Sequence, residues 1–370
     1  MAAEESAGVG TGASEGFVPP AMTNSSEYLD RITKFVVAGS VLSGTHLCVG
    51  QYRRGKVRDV YTLHHEDKVI IVTTDRLSAF DRVLCKVPFK GAVLNTVAAW
   101  WFARTAHICP NHLVDVPHPN VTIARKTRPL PIEFVVRAYM TGSTSTSLWT
   151  HYKAGALEYC GNKLPQGLRK NDKLPEPIIT PTTKEDEHDR PIGPKEIVGE
   201  GWYEVWEKCR DYALALFRYG QETASSAGLI LVDTKYEFGI ASDGEIIIID
   251  EVHTPDSSRY WLLDTYAERH AMKMEPDNID KEFVRLWYRQ HCDPYRDPVL
   301  PEAPTQLVAE LSRRYTLLYE LITGQPFAFP DTPTSVQPSI VAALRATFPS
   351  IGRGRTVVVA DGPAAAEASA

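Results

Sequence analysis

The chain has 370 residues, 43% of them hydrophobic, and a formal net charge of −6. That length suits one large domain or two to three lobes with ample core, and the mildly acidic balance argues against a general nucleic-acid-binding surface. No apolar run approaches the roughly 20 residues of a membrane span, and the six cysteines lack CxxC spacing and read as reduced thiols of a cytoplasmic protein.

Residues 1–26 are rich in Ala, Gly, Ser and Glu and read as a disordered tail. They lack the basic character of a transit peptide and the apolar core of a secretory signal. Ordered structure is expected from about Tyr28. "YRRGKVRDVY" places Gly55 and Lys56 in a turn between extended runs. Glycine lets backbone approach phosphates and lysine brings a mobile charge, although this is not a Walker A motif and such turns are commonly just solvated. "VRDVYTLHHEDKVIIVTT" predicts an antiparallel strand pair. "DRLSAFD" follows it at a strand end, with two readings: a ligand-carrying loop offering Asp75 and Ser78, or a helix start capped by one of them.

A helix is predicted over 92–107 and a strand within "RPLPIEFVVRAYM", followed by a turn and helix in "TGSTSTSLWTHYKAG". Arg137 leaves an apolar stretch that also carries Glu133. If buried it needs an anion or a salt bridge, and Ser143 beside Gly142 offers a further donor. Residues 161–198, proline-rich and charged, read as an ordered loop over a site rather than a core element. "GWYEVWEKCRDYALALFRYG" is amphipathic at helical spacing, and its aromatic stripe reads as core. Further helices are expected near 278–291 and 304–322, and the residues from about Arg353 read as flexible.

The stretch "LVDTKYEFGIASDGEIIIIDEVHTPDSSRYW" carries the most chemistry. It reads as strands over 229–240 and 245–252 joined by an Asp-Gly turn. Alternation puts Asp233, Lys235 and Glu237 on one face. A two-residue turn at Asp243-Gly244 sets Glu237 directly across from Asp250. Opposed carboxylates repel, and a hard cation such as Mg²⁺ converts the repulsion into coordination shared with substrate phosphates. The alternative is an exposed face with tolerated charges. Arg259, beside Asp256 and Ser257, makes a second arginine in apolar surroundings, and with Arg137 it suggests a separate anion site.

Together "RGKVRDVY", "DRLSAFD", "LPIEFVVRAYMTGS", "ITPTTKEDEHD", "LVDTKYEFG" and "DEVHTPDSSRYW" resemble, in order, the motifs of the SAICAR synthetase family, in its longer, fungal-type form. The resemblance implies an α+β fold: a smaller antiparallel-sheet lobe with a phosphate loop (27–128), a larger ATP-grasp-like lobe (129–330) and a C-terminal extension (331–370). It implies that ATP, CAIR and L-aspartate are the small-molecule substrates, giving SAICAR, ADP and phosphate in purine biosynthesis through an acyl phosphate. On this pattern Gly55 and Lys56 hold ATP phosphates, and Glu237 and Asp250 hold Mg²⁺. Lys235 lies against the transferring group with Asp233 as the second candidate catalytic residue, Asp233 and Glu251 contacting the metal's water. Arg137, Ser143 and Arg259 bind the nucleotide's phosphate, Asp256 its ribose or base, and Asp75 and Ser78 complete the substrate side. Thr183, Lys184, His188 and Asp189 match a family loop without an assigned role. A small-molecule kinase, a non-catalytic nucleotide-binding descendant and a ligase for another amine are the rival readings.

Overall fold

The computed structural model describes residues 20–348, apart from 48, 65, 185–189 and 200–202. The readings of residues 1–19 and 349–370, of Trp202, and of His188 and Asp189 lie outside the described residues. In chain order, α1 (Pro20–Thr23) and α2 (Ser25–Val37) precede β1 (Gln51–Arg54), β2 (Arg58–Thr62) and β3 (Lys68–Thr73). A hairpin of β4 (Arg76–Ala79) and β5 (Arg82–Lys86) leads to α3 (Lys90–Thr105), β6 (Leu113–His118) and β7 (Val121–Arg125). Then come β8 (Thr127–Tyr139), α4 (Leu148–Lys153), β9 (Glu158–Tyr159), β10 (Asn162–Lys163), β11 (Lys173–Ile179), β12 (Thr182–Thr183), α5 (Pro194–Gly199) and α6 (Tyr203–Ser226). The chain continues through β13 (Leu229–Ala241), β14 (Ile246–Ile249), β15 (Ser258–Leu262), α7 (Leu263–Ala271), α8 (Glu282–His291), α9 (Thr305–Thr323) and α10 (Gln337–Thr347).

Two antiparallel sheets organise these elements. The first runs β1-β2-β3-β7-β6. Period-2 burial turns Tyr61, Ile70, Val72, Val121 and Ile123 to one side, where Ile340, Val341 and Leu344 of α10 cover them. The second runs β11-β8-β13-β14, with β12 added to β8 and β15 to β13. Its central strand, β13, is buried almost throughout. One face packs on α6, where Phe134 stacks on Trp206 at 5.3 Å and meets Phe238 edge-on at 5.2 Å, so the aromatic stripe of α6 is core. The opposite face carries Asp233, Lys235 and Glu237. The sheets are laced where Ile248 N–H donates to Pro110 O at 2.9 Å and His112 N–H to Ile248 O at 3.1 Å.

Four expectations are corrected. Residues 20–23 and 25–26 are helical, and α2 is held to α9 by Tyr28 Oη donating to Glu320 Oε1 at 2.7 Å. "DRLSAFD" starts no helix: it forms the β4–β5 hairpin, with Phe80 and Asp81 at φ 54° and 60° in its tip. The 161–198 segment supplies strands β11 and β12 to the second sheet. Its prolines are tolerated because β11 is an edge strand, where a missing N–H breaks no ladder.

The fourth correction is the β13–β14 register. Ile240 pairs with Ile246, and Glu237 pairs with Ile249 rather than Asp250. The loop has three residues: Ala241 N–H donates to Glu245 O at 2.9 Å, and Gly244 takes the left-handed φ of 86° that such loops need. Asp243 Oδ1 accepts from Glu245 N–H at 3.0 Å, holding that form. The carboxylate directly across from Glu237 belongs to Glu133, on β8. β14 stops at Ile249, and Asp250 leaves it with φ 69°.

Candidate active site

A cleft of 510 Å³ opens over the charged face of β13, a size that suits a small-molecule site. At one end Lys56, in the β1–β2 turn, pairs with Asp81 at 3.1 Å, both about half exposed. Gly55 lies behind the lining, its N–H donating to Arg58 O at 2.7 Å. The turn is supported from below by the buried Arg76, which donates to Gly55 O at 3.0 Å and Lys56 O at 3.1 Å and pairs with Asp59 at 2.8 Å. Ser78 of β4 lines the adjacent wall, beside Phe80, whose ring meets Tyr295 edge-on at 5.3 Å.

At the centre Lys235 Nζ lies 2.8 Å from Glu133 Oε1 and also bonds Glu237, which Lys184 contacts as well. Burial would raise the Glu237 pKa, but Lys235 and Lys184 outweigh it and hold the carboxylate well below the usual range. Burial would lower Lys235, and Glu237, Glu133 and Asp250 instead keep it firmly protonated. Asp250 differs: burial pushes it up to about 6, with Glu237 and Glu251 adding repulsion against Arg58. Glu237 thus adds repulsion to Asp250 although the two are not cross-strand partners. Arg58 of β2 reaches over from the first sheet to Asp250 at 2.7 Å and Glu251 at 3.1 Å.

At the other end Asp233 sits between Arg137 and Arg259, its partners on the two flanking strands. Arg259 Nη1 is 2.6 Å and Arg137 Nη1 3.5 Å from the same Oδ2. Arg259 also reaches Glu282 at 3.6 Å, which Arg285 shares at 3.1 Å, so three guanidinium groups answer to these two carboxylates and positive charge is left over for an anion. Asp256 lines the cleft with both oxygens engaged, by Lys90 at 2.8 Å and by Tyr315 Oη at 2.6 Å. Burial opposes its ionisation, but Lys90 and Lys281 hold the carboxyl well below its ordinary range. Lys281 and Arg285, at the start of α8, complete this wall.

Five sequence candidates are not among the residues that line the cleft: Gly55, Glu237 and Asp250, placed above, and Asp75 and Ser143. Asp75 is buried, accepting from Leu42 N–H at 2.7 Å and Gly91 N–H at 2.9 Å. It caps the first turn of α3 from a distant strand end, and burial pushes its pKa up to about 6. Ser143 turns its hydroxyl to Glu282, and Arg289 takes its carbonyl. Sequence reading gave no role to Arg58, Glu133, Lys90, Lys281 or Arg285. Glu133 was visible as a charge in an apolar run, whereas the others carry no local signal.

The family model for SAICAR synthetase matches residues 51–301. The chain belongs to the SAICAR synthetase family. The phosphoribosylaminoimidazole-succinocarboxamide synthase of Legionella pneumophila (strain Paris) is 58% identical over 302 residues, covering 81% of this chain and 96% of its own. The chloroplastic synthase of Arabidopsis thaliana is 57% identical, covering 73% of this chain and 66% of its own. A solved SAICAR synthase from Saccharomyces cerevisiae, complexed with SAICAR, superposes with a TM-score of 0.67 at 30% identity, covering 78% of this chain and all of the other. The chain is accordingly an ATP-dependent ligase that joins L-aspartate to the carboxylate of CAIR, giving SAICAR, ADP and phosphate in purine biosynthesis. A phosphotransferase or non-catalytic reading is thereby set aside.

Proposed function

We propose that the cleft carries out this ligation through an acyl phosphate, with ATP at the Lys56 end and the nucleotide substrate at the Arg137–Arg259 end. The observation that carries the assignment is β13 itself, whose Asp233, Lys235 and Glu237 run from the arginine pair to the carboxylate cluster. A carboxylate is a poor electrophile, so the CAIR carboxylate first attacks the γ-phosphorus of ATP, and ADP departs. L-Aspartate's amine then attacks the activated carbonyl carbon and phosphate leaves. Lys56 holds ATP phosphates, with Gly55 allowing their approach. Lys235, kept protonated, neutralises charge on the moving phosphoryl group, as such transfers require. Asp233 holds the two arginines toward the nucleotide's phosphate, Asp256 faces its ribose or base, and Ser78 lines the wall nearby. Asp75 and Ser143 have no direct part, because their polar atoms are used elsewhere.

Hard carboxylate oxygens of Glu237 and Asp250 suit Mg²⁺ in kind, and Glu133 faces Glu237. But Lys235 and Lys184 hold Glu237, Arg58 holds Asp250 at 2.7 Å, and no group of three such ligands forms among the described residues. Bound there, the cation would neutralise and orient ATP phosphates. If the reaction runs as described, CAIR labelled with ¹⁸O in its carboxylate passes one labelled oxygen to the released phosphate. Unlabelled phosphate overturns the acyl phosphate. Lys235→Met should lose turnover while keeping the fold, and near-normal turnover in that variant overturns the role given to Lys235.

A division into two lobes near residue 128 is supported by the two sheets, drawn from 51–125 and from 127–262. The longer, fungal-type form rests on the length of the 161–198 segment, set against the higher identity of the bacterial and plant relatives. A cytoplasmic site is proposed from the six cysteines, which lack CxxC spacing and read as reduced. Among the described residues no helix is long and apolar enough to cross a membrane.

A further inference from the structure

The cations that line the cleft differ in one respect. Lys56 is paired with Asp81, Lys235 with Glu133 and Glu237, Arg137 and Arg259 with Asp233, and Arg285 with Glu282. The side chain of Lys281 makes neither a hydrogen bond nor an ion pair among the described residues, yet the residue lines the same cleft. Its backbone is fixed: it is the N-cap of α8, and Asp280 before it accepts from Glu282 N–H at 2.7 Å and from Tyr260 N–H at 2.9 Å. The positive end of the α8 dipole further disfavours a positive charge at that position.

The groups around it come from four elements. Asp256 and Glu251 belong to the loop after β14, Lys90 to α3, Arg285 to α8, and Tyr315 of α9 reaches Asp256. Burial lowers the Lys281 pKa to about 8, and Arg285 and Lys90 act in the same direction, against Asp256 and Glu251. An amine so placed is neutral in a useful fraction of molecules near neutral pH, which a surface lysine is not.

The ligation needs such a group. L-Aspartate arrives with its amine protonated, and an ammonium has no lone pair with which to attack a carbonyl. We propose that Lys281 Nζ accepts the proton that this ammonium must lose, acting as the general base of the amide-forming step. The inference rests on the acyl-phosphate reading above. The freed lone pair forms the C–N bond to the carbonyl carbon, and the C–O bond to phosphate breaks with its electrons leaving on phosphate. The second N–H proton shed on forming the amide departs with that phosphate. Lys281 then returns its proton to solvent through the open cleft.

The test uses two nucleophiles. Hydroxylamine is neutral at working pH, needs no base, and traps an acyl phosphate as a hydroxamate. Lys281→Ala and Lys281→Arg should lose about 100-fold or more in turnover with L-aspartate, the range of one general base. Both should still form hydroxamate from CAIR and ATP at the wild-type rate, which also shows that they fold and bind. The proposal is overturned if Lys281→Arg retains aspartate turnover, because charge alone then suffices, or if hydroxamate formation falls in parallel. Absence of hydroxamate from the wild-type enzyme would instead remove the acyl phosphate on which the proposal rests.

Discussion

Asp75 and Asp233 are both buried carboxylates in signature motifs, and their partners separate their roles. Asp233 answers to two guanidinium groups in the cleft, whereas Asp75 accepts only backbone N–H groups away from it. Asp75→Ala therefore strands two buried donors, at about 1–3 kcal/mol each. Urea unfolding should register that loss while the KM values for ATP and CAIR stay at wild type. Unchanged stability with a raised KM for CAIR would return Asp75 to the substrate side. His112 offers a pH-dependent counterpart. Buried against Phe102, its pKa is lowered by burial from 6.5 to about 3, with Arg58 adding to the effect. The unfolded chain protonates first, so the neutral ring's contribution is complete above pH 6.5 and shrinks as pH falls towards 3. Asp75, Asp250 and Asp280, pushed up to about 6, tilt the total the other way over part of that range. The measurement must therefore be differential. The stability of wild type relative to His112→Leu should fall by about 1.4 kcal/mol per pH unit below 6.5, and a pH-independent difference would contradict the buried neutral ring.

At the scale of elements, α6 meets the back of β13 through a contact that depends on one missing methyl group. A Cβ on Gly220 would stand 2.3 Å from His253 Cε1 and 2.8 Å from Leu231 Cδ2. His253 in turn bonds Tyr236, between Lys235 and Glu237 on the strand. Gly220→Ala should thus cost about 1–3 kcal/mol by overpacking, against the gain a helix normally takes from alanine, and thermal unfolding would show which wins. Helices such as α3, α6, α8 and α9 were legible because each buries a stripe whose period is written locally. The β13–β14 register was not. An Asp-Gly pair serves two-residue and three-residue loops alike, and here Asp243 also answers to Arg125 from the other sheet. That slip of one residue put Ile249 where Asp250 was expected across from Glu237, and the carboxylate that does face Glu237 is Glu133, on the other neighbouring strand. The polar 161–198 segment misled for a related reason, since an edge strand can keep prolines and charges that a central strand cannot. Within the site, Asp233, Lys235 and Glu237 could be read from strand alternation. Arg58 and Lys281 could not, because their meaning comes from neighbours far away in the chain.

For the whole molecule, the question is what holds the phosphate turn of the first sheet over the charged face of the second. Arg58 is one tie, because its carbonyl accepts from Gly55 N–H while its side chain holds Asp250 and Glu251. The far face of the same sheet depends on α10, whose Ile340, Val341 and Leu344 are buried against Tyr61, Ile70 and Val72. Removing the chain after Thr334 exposes that face and forfeits about 1.5–3 kcal/mol for each of the three aliphatic side chains. The loss falls on one side of the cleft. The arginine end is built from β8, β13 and β15, whereas α10 packs on the first sheet, and the Lys56 turn rests on β1 and β2 of that sheet. A truncated enzyme should therefore melt earlier and show a higher KM for ATP, with the KM for CAIR much less affected. Equal rises in both would mean that the two sheets respond as one rigid block, and that α10 supports the cleft as a whole rather than its ATP end.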